Sequence, residues 1–493
     1  MYNNKANQKK TTETEGTGET ATGGLTEDQI GALLEASTGL LLFFHFPLCD
    51  VQNTALRCSC FYIAFLFCIF AMATWLMKKG IYILLYVVTA MTTSCRSSFV
   101  AIERDGHERS DSVFAQYLKD EGIPYTHNNQ VSILNGAQVK FDSLFKDIKD
   151  AKHHIHLEYF NFRNDTINAR LLGLLAQKVK EGVEVRAMFD AFGNISNNSP
   201  LKKDDLEAIR ATGIEIVKTD PIEFPWINHM FARDHRKIVV IDGKTAYTGG
   251  INVADYYLEG IEGVGEWRDM HSKVQGEAVN ELQRIFLDMW CQETGERIEG
   301  VEYYPLQELE SGTDIAVVDR WPHKTPERMR NAYANAVNAA KDSVIIISPY
   351  FVPLRNVRKA IEKALDDSVK VTILLSEKGD LPMIPDGVWR VAYKLMKRGA
   401  DVYIYADGFN HSKVMCVDGS YCTIGSANLN SRSLMYDYET NLFIFGKEDT
   451  DELYHYIDLD KQKSYKLTKE IYKKRCWWRR FCGWLVALVT PLV

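Results

Sequence analysis

Two stretches of the chain decide its fold: HRKIVVIDGKTAYTGGIN at 235–252 and HSKVMCVDGSYCTIGSAN at 411–428. Both read His-x-Lys, four residues, Asp, six residues, Gly, then Asn three positions on. The His, Lys and Asp of the second are each offset from those of the first by 176 residues (411 minus 235). A pattern this long, duplicated at one spacing, marks an internal repeat. The apolar runs inside it are short and rich in Val and Ile, which reads as β-strand. On a strand, side chains two residues apart share a face, so each copy sets an imidazole beside an ammonium.

The repeat extends outward on both sides. AKHHIHLEYF (151–160) and GVEVRAMFD (182–190) precede the first copy, as AKDSVIIISPYF (340–351) and SVKVTILLS (368–376) precede the second. Between these strand-like runs lie helical patterns such as ARLLGLLAQKVKEG (169–182). Strands alternating with helices predict an α/β fold with two pseudo-twofold sandwich halves, 105–300 and 310–450. Packed face to face, such halves would bring equivalent strand ends together at a central cleft.

Composition bounds the rest. The chain has 493 residues, 46% hydrophobic, with a net charge of -7. That balance excludes a largely disordered chain and argues against a nucleic-acid partner, which calls for a basic surplus. Ten cysteines are too few for a disulfide scaffold, and no zinc-type pair of pairs occurs among them. Cys416 and Cys422 straddle the second motif and read as buried strand thiols.

The ends differ from the body. Residues 1–55 read as a flexible leader, and 56–96 as membrane segments or a signal-like region. Cys58 to Met77 runs 20 residues without a charge, enough to span a bilayer; Gly80 to Cys95, at 16, is marginal. Read from Met77, a basic start, an apolar run and a terminal cysteine also fit a lipoprotein signal that would leave Cys95 lipidated. From 461 to 493, nine Lys or Arg face one acid, Glu470, and run into CWWRRFCGWLVALVTPLV. Cations among tryptophans before a Leu/Val run predict a membrane-associating tail on anionic lipid.

Two histidines, two lysines and two asparagines suit a tetrahedral anion such as phosphate. Histidine can attack phosphorus, and a second histidine can protonate the leaving oxygen near neutral pH. Lys237, Lys413, Asn252 and Asn428 would offset charge on the phosphorus without a metal, so no metal or other cofactor is expected. His153, His154 and His156 read as structural rather than as ligands to a metal, although His154, His156 and Glu158 would share a strand face. Tyr350 and Phe351 fit either a cleft lining or the core.

The duplicated motif resembles the signature of the phospholipase D superfamily. GVGEWRDMHSKVQGEAV (263–279), ISPYFVP (347–353) and the basic tail are similar to bacterial cardiolipin synthases of the phospholipase D type. The resemblance implies a phosphatidyltransferase that converts two phosphatidylglycerols to cardiolipin and glycerol through a phosphohistidine. The alternative within the superfamily is a phosphodiesterase that passes the same intermediate to water, and less so a nuclease. By analogy the catalytic set is His235, Lys237, Asp242, His411, Lys413 and Asp418, with His235 as nucleophile and His411 as acid and then base. Asn252 and Asn428 would bind substrate, and Asp269 and Glu439 match the acids that orient the histidines. Asp242 and Asp418, though signature residues, read as bracing a turn. The resemblance also implies a bacterial membrane location and anionic phospholipid as partner.

Overall fold

The computed structural model describes residues 99–488 apart from 104–107, 223–231, 308, 310–311 and 382. The predicted leader and the segments at 56–96 lie outside the described residues. Among the described residues no helix is long and apolar enough to cross a membrane.

In the first half the strands are β1 (Tyr125–Asn135), β2 (His154–Tyr159), β3 (Glu184–Asp190), β4 (Glu215–Thr219), β5 (Lys237–Ile241), β6 (Thr245–Gly249), β7 (Trp267–Arg268) and β8 (Met270–Gly276). In the second they are β9 (Thr313–Arg320), β10 (Ser343–Ile347), β11 (Lys370–Ser376), β12 (Asp401–Tyr405), β13 (Phe409–Asn410), β14 (Val414–Val417), β15 (Tyr421–Gly425), β16 (Glu439–Phe445) and β17 (Ser464–Lys466). Fifteen of the described strands form one sheet in the order β17-β12-β11-β10-β14-β15-β16-β9-β1-β8-β6-β5-β2-β3-β4. Leaving out β17, the order is a palindrome about the β9–β1 pair, so the repeat read from sequence is a repeat of sheet topology. β2, β3 and β4 run parallel, as do β10, β11 and β12, and each parallel set borders the hairpin that carries its His-x-Lys motif.

The halves do more than pack face to face. Antiparallel pairing of β1 with β9, Tyr125 opposite Ala316, joins them edge to edge and removes two exposed strand edges. They also share a core in which Val240, Ala246 and Val274 of the first half meet Val317, Val414 and Leu442 of the second. Each half has a further core under its own helices. Phe141, Leu144 and Ile148 of the helix Ala137–Asp150 pack with Leu171 and Leu175 of Thr166–Lys180, spaced three or four apart as a buried helical stripe requires.

Each motif hairpin closes on an Asp-Gly turn. Asp242 and Gly243 have φ of 53° and 61°, and Asp418 and Gly419 have 52° and 63°. Positive φ at both central residues matches the right-handed twist of the flanking strands, and Asp and Gly tolerate it best. Cys416 and Cys422 are cross-strand partners in the second hairpin, and both are buried. They form a disulfide rather than the free thiols expected, because direct opposition on β14 and β15 brings their Cα atoms to 4.1 Å.

Candidate active site

The two motif histidines stand just before β5 and β14, and both are held by the opposite half. The Asp234–Tyr438 bridge brings the first motif against the start of β16, where the backbone N–H of His235 donates to the Tyr438 carbonyl at 3.1 Å. The parallel β7–β13 pair does the same for the second motif, and the N–H of His411 donates to the Arg268 carbonyl at 2.6 Å. One residue further along each bridge sits an acid. His235 Nδ1 is 3.0 and 3.2 Å from the two carboxylate oxygens of Glu439, and His411 Nδ1 is 2.7 Å from Asp269 Oδ2. The pairing is therefore crossed: the acid following each motif in sequence serves the histidine of the other.

A carboxylate on Nδ1 fixes the tautomer and turns Nε2 outward as the reactive nitrogen. Both acids are fully buried. Burial pushes the Glu439 carboxyl up, but His235, Lys237 and Ser426 outweigh it and hold Glu439 below the usual carboxylate range. Asp269 is likewise lowered, against its own burial, by Lys413 and His411. The imidazoles are held neutral. His235 is pushed down to about 4 by burial and Lys237, and His411 to about 3 by burial and Lys413. The lysines fall too, chiefly through burial, to about 7 for Lys237 and about 8 for Lys413. Each lysine's charge also reaches the histidine of the other half, so the two half-sites form one electrostatic unit.

Lys237 Nζ donates to the His235 carbonyl at 2.5 Å. Lys413 Nζ lies 2.8 Å from Nδ1 and 3.1 Å from Nε2 of His411, and 3.8 Å from Asp269. Asn252 and Asn428 are buried at matched positions, and the side-chain oxygen of each has no hydrogen-bond partner. Such orphaned polar atoms cost free energy unless a ligand or water completes them. The Asn252 amide is steadied by its NH2 group donating to Tyr257 Oη at 3.1 Å.

Asp242 and Asp418 lie at the far ends of the strands from the histidines. Asp242 accepts from the backbone N–H groups of Lys152, His153 and His154 at 2.8, 2.7 and 3.0 Å. Asp418 does the same for Lys341, Asp342 and Ser343 at 2.8, 2.8 and 2.7 Å. Each carboxylate is taken up by main chain entering the neighbouring strand and hydrogen-bonds to neither motif histidine. The turn geometry that lets Asp occupy positive φ aims these oxygens at that main chain rather than at the motif histidines.

The structure adds residues that spacing did not reveal. Ser426 donates its hydroxyl to Glu439 Oε2. At the matching position of the first half stands Gly250, where a Cβ would collide with the Asp269 carboxylate. This Gly/Ser mismatch inside otherwise matched turns was visible in the sequence, though its meaning depends on the crossed acids. Phe160 sets its ring 5.1 Å from that of His235, edge to face. Tyr350, left open between cleft and core, is half-buried with its ring 6.1 Å from that of His411 and its hydroxyl donating to Asp380 at 2.6 Å. Phe351 is core.

The histidines of β2 belong to a separate buried cluster. His156 stacks on Phe286 at 4.4 Å, with Nδ1 3.2 Å from the Gln283 side-chain oxygen, and His154 Nδ1 lies 2.8 Å from His153 Nδ1. Glu158 faces Arg236 at 3.5 Å, and Arg236 in turn pairs with Asp319 at 2.5 Å. Among the described residues no group of three or more His, Cys, Asp or Glu side chains is arranged to hold a metal ion.

A mirrored sheet with two crossed His–carboxylate pairs at its centre defines the duplicated-motif class, the phospholipase D superfamily. The family model described as "Cardiolipin synthase, PLD-like domain" matches residues 144–290 and 333–460, and the chain belongs to this family. A cardiolipin synthase of Oceanobacillus iheyensis is 34% identical over 386 residues, covering 78% of this chain and 80% of that protein. One of Listeria monocytogenes is 33% identical over 379 residues, covering 76% and 78%. Among solved structures, a phosphatidylserine synthase of Haemophilus influenzae matches with a TM-score of 0.61 at 16% identity, over 78% of this chain and all of that one. At that identity the match speaks for the fold alone.

Proposed function

We propose that the enzyme transfers a phosphatidyl group from one phosphatidylglycerol to another, giving cardiolipin and glycerol. The observation that carries the reading is the crossed geometry, in which a buried carboxylate from each half holds Nδ1 of the other half's histidine and leaves Nε2 as the reactive nitrogen. In the empty site both imidazoles are held neutral, the two carboxylates are held below their usual range, and burial lowers both lysines. A bound phosphodiester brings one negative charge, which one proton on one imidazole balances. An opposite charge favours the protonated form, so the anion raises the depressed histidine and lysine pKa values. The loaded site then holds one neutral histidine, fit to attack, and one imidazolium, fit to donate.

In the first step His235 Nε2 attacks phosphorus, the bond from phosphorus to the glycerol headgroup oxygen breaks, and His411 gives that oxygen its proton. In the second, His411, now neutral, takes the proton of the incoming glycerol hydroxyl. That oxygen bonds to phosphorus while the bond to His235 breaks. Lys237, Lys413, Asn252 and Asn428 hold the non-bridging oxygens as charge builds on them. Glu439 and Asp269 keep each Nε2 aimed at phosphorus, and Asp242 and Asp418 brace the hairpins. Each lysine donates to the carbonyl of its own histidine, so His235 is assigned as nucleophile because two carboxylate oxygens orient it, whereas Lys413 also crowds Nε2 of His411.

The relatives, named cardiolipin synthases, support a lipid acceptor over water, and the acidic body disfavours nucleic acid as substrate. We also assign a bacterial membrane location, with 56–96 as the anchor, or a lipid on Cys95 where synthesis starts at Met77. The test is incubation of the full chain with phosphatidylglycerol carrying a labelled headgroup. Cardiolipin and free glycerol should appear in equal amounts; phosphatidic acid as the sole lipid product would replace transfer with hydrolysis.

A further inference from the structure

The basic, aromatic tail is not a loose extension. The helix Trp477–Leu488 is locked onto the helix Ile384–Met396 through two glycines. A Cβ at Gly483 would strike the Asp386 carbonyl, and one at Gly387 would strike Val486. Arg475 pairs with Asp386 and lies 4.1 Å above the Trp389 ring, while Tyr393 and Tyr472 stack at 3.8 Å. Cys482 and Val486 are buried on the docked side.

The other side carries exposed aromatic side chains. Trp477, Trp478, Phe481 and Trp484 are 66%, 37%, 36% and 42% exposed and stand on one helical stripe. Their rings follow one another at 5.7 Å, forming a continuous apolar band rather than scattered contacts. Lys473, Lys474, Arg479 and Arg480 are exposed beside it, and none makes a salt bridge among the described residues. A protein partner would need both the band and the four cations matched by complementary groups. An anionic bilayer matches both at once, headgroups to cations and acyl boundary to rings.

The band also connects to the cleft. The helix under it begins directly after the loop that follows β11, where Leu381 and Met383 are 50% and 44% exposed. That loop carries Asp380, the partner of Tyr350 beside His411. At the equivalent place after β3, Phe192 and Ile195 are exposed, and Gly193 between them abuts Phe160, the ring against His235. Both rims of the site thus present apolar side chains.

We propose that the helix Trp477–Leu488 is a membrane-insertion face that seats on anionic bilayers and holds the second-half rim of the cleft at the lipid surface, apart from any anchor at the N-terminus. This rests on phospholipid being the substrate. The test compares the full chain with its W477S/W478S/W484S variant and its R479E/R480E variant on vesicles of phosphatidylglycerol and phosphatidylcholine. Brominated acyl chains should quench a tryptophan signal in the wild type that the triple variant lacks. Turnover of vesicle phosphatidylglycerol should fall at least about tenfold in both variants. Turnover of a soluble short-chain phosphatidylglycerol should stay unchanged, which shows that the variants fold. Wild-type tryptophan quenching no greater than that of the triple variant, or undiminished vesicle turnover in both variants, would overturn the proposal. Quenching requires no turnover, so it reads the surface whatever acceptor the chemistry uses.

Discussion

The two halves place the same residues at the same positions and yet build unlike environments. In the first motif the turn ends Gly249-Gly250, and the bare backbone leaves room for Asp269; in the second it ends Gly425-Ser426, and the serine hydroxyl grips Glu439. The acid on His235 is therefore longer, bidentate and tethered, while the acid on His411 is shorter, single-pointed and shared with Lys413. Duplication supplied two histidines, and the packing around each acid makes their surroundings unequal. One phosphodiester needs one neutral and one protonated imidazole, and unlike surroundings bias which of the two histidines holds the proton.

Replacing the histidines probes this asymmetry hardest. H235A should lower turnover by about 10⁴-fold or more and abolish any phosphatidyl-enzyme trapped by rapid detergent denaturation at neutral pH. H411A should cost at least about 10²-fold yet leave a slow covalent burst, because its loss removes proton transfer rather than the attacking atom. A burst in H235A and none in H411A would exchange the two roles.

Next come the turn residues. G250S should cost activity severely, about 10²-fold or more, because its side chain must displace the Asp269 carboxylate that aims His411. S426G, which makes the second turn like the first, only releases Glu439 and should cost about three- to tenfold. Equal effects would mean that the mismatch has no part in separating the half-sites.

The pH profile gives a finer reading. Asp269 raises the pKa of His411 against burial and Lys413. D269N removes that support, the folded pKa falls further, and the proton-donating form is lost at lower pH. The basic limb of the kcat profile should move toward acid. E439Q should instead move the acidic limb, where His235 must be deprotonated, also toward lower pH. Movement of the same limb in both variants would contradict the division of labour.

The smallest effect concerns the disulfide, which the first half lacks: Val240 and Ala246 stand where the second has Cys416 and Cys422. C416V/C422A should lower stability by about 2 kcal/mol, the loop-entropy value for so short a closure, and leave turnover near wild type. Urea unfolding with and without reductant measures this. A loss of activity would give the bridge a role in the site.

Much was legible because it is local. Strand runs, the Asp-Gly turns and the His-x-Lys spacing depend on residues close in sequence, whose periodicity and propensity are written directly into the chain. The acids Asp269 and Glu439 could be picked by type and position, but not assigned. Sequence order sets Asp269 near His235, whereas the β7–β13 pair and the Asp234–Tyr438 bridge carry each acid across to the other half. Ser426 and Gly250 differ in the sequence, yet nothing there says that one meets a carboxylate to hold and the other a carboxylate to admit.

By itself, then, the sequence determined that the chain is a doubled α/β body with two copies of one phosphate-binding motif, since these follow from repeat, period and residue chemistry. Only the tertiary structure decided that the halves share one sheet through β1 and β9, that their acids are exchanged, and that the basic tail is a docked helix with an exposed aromatic face. Those outcomes depend on pairings far apart in sequence, where backbone hydrogen bonding and shape, not local preference, select the partner.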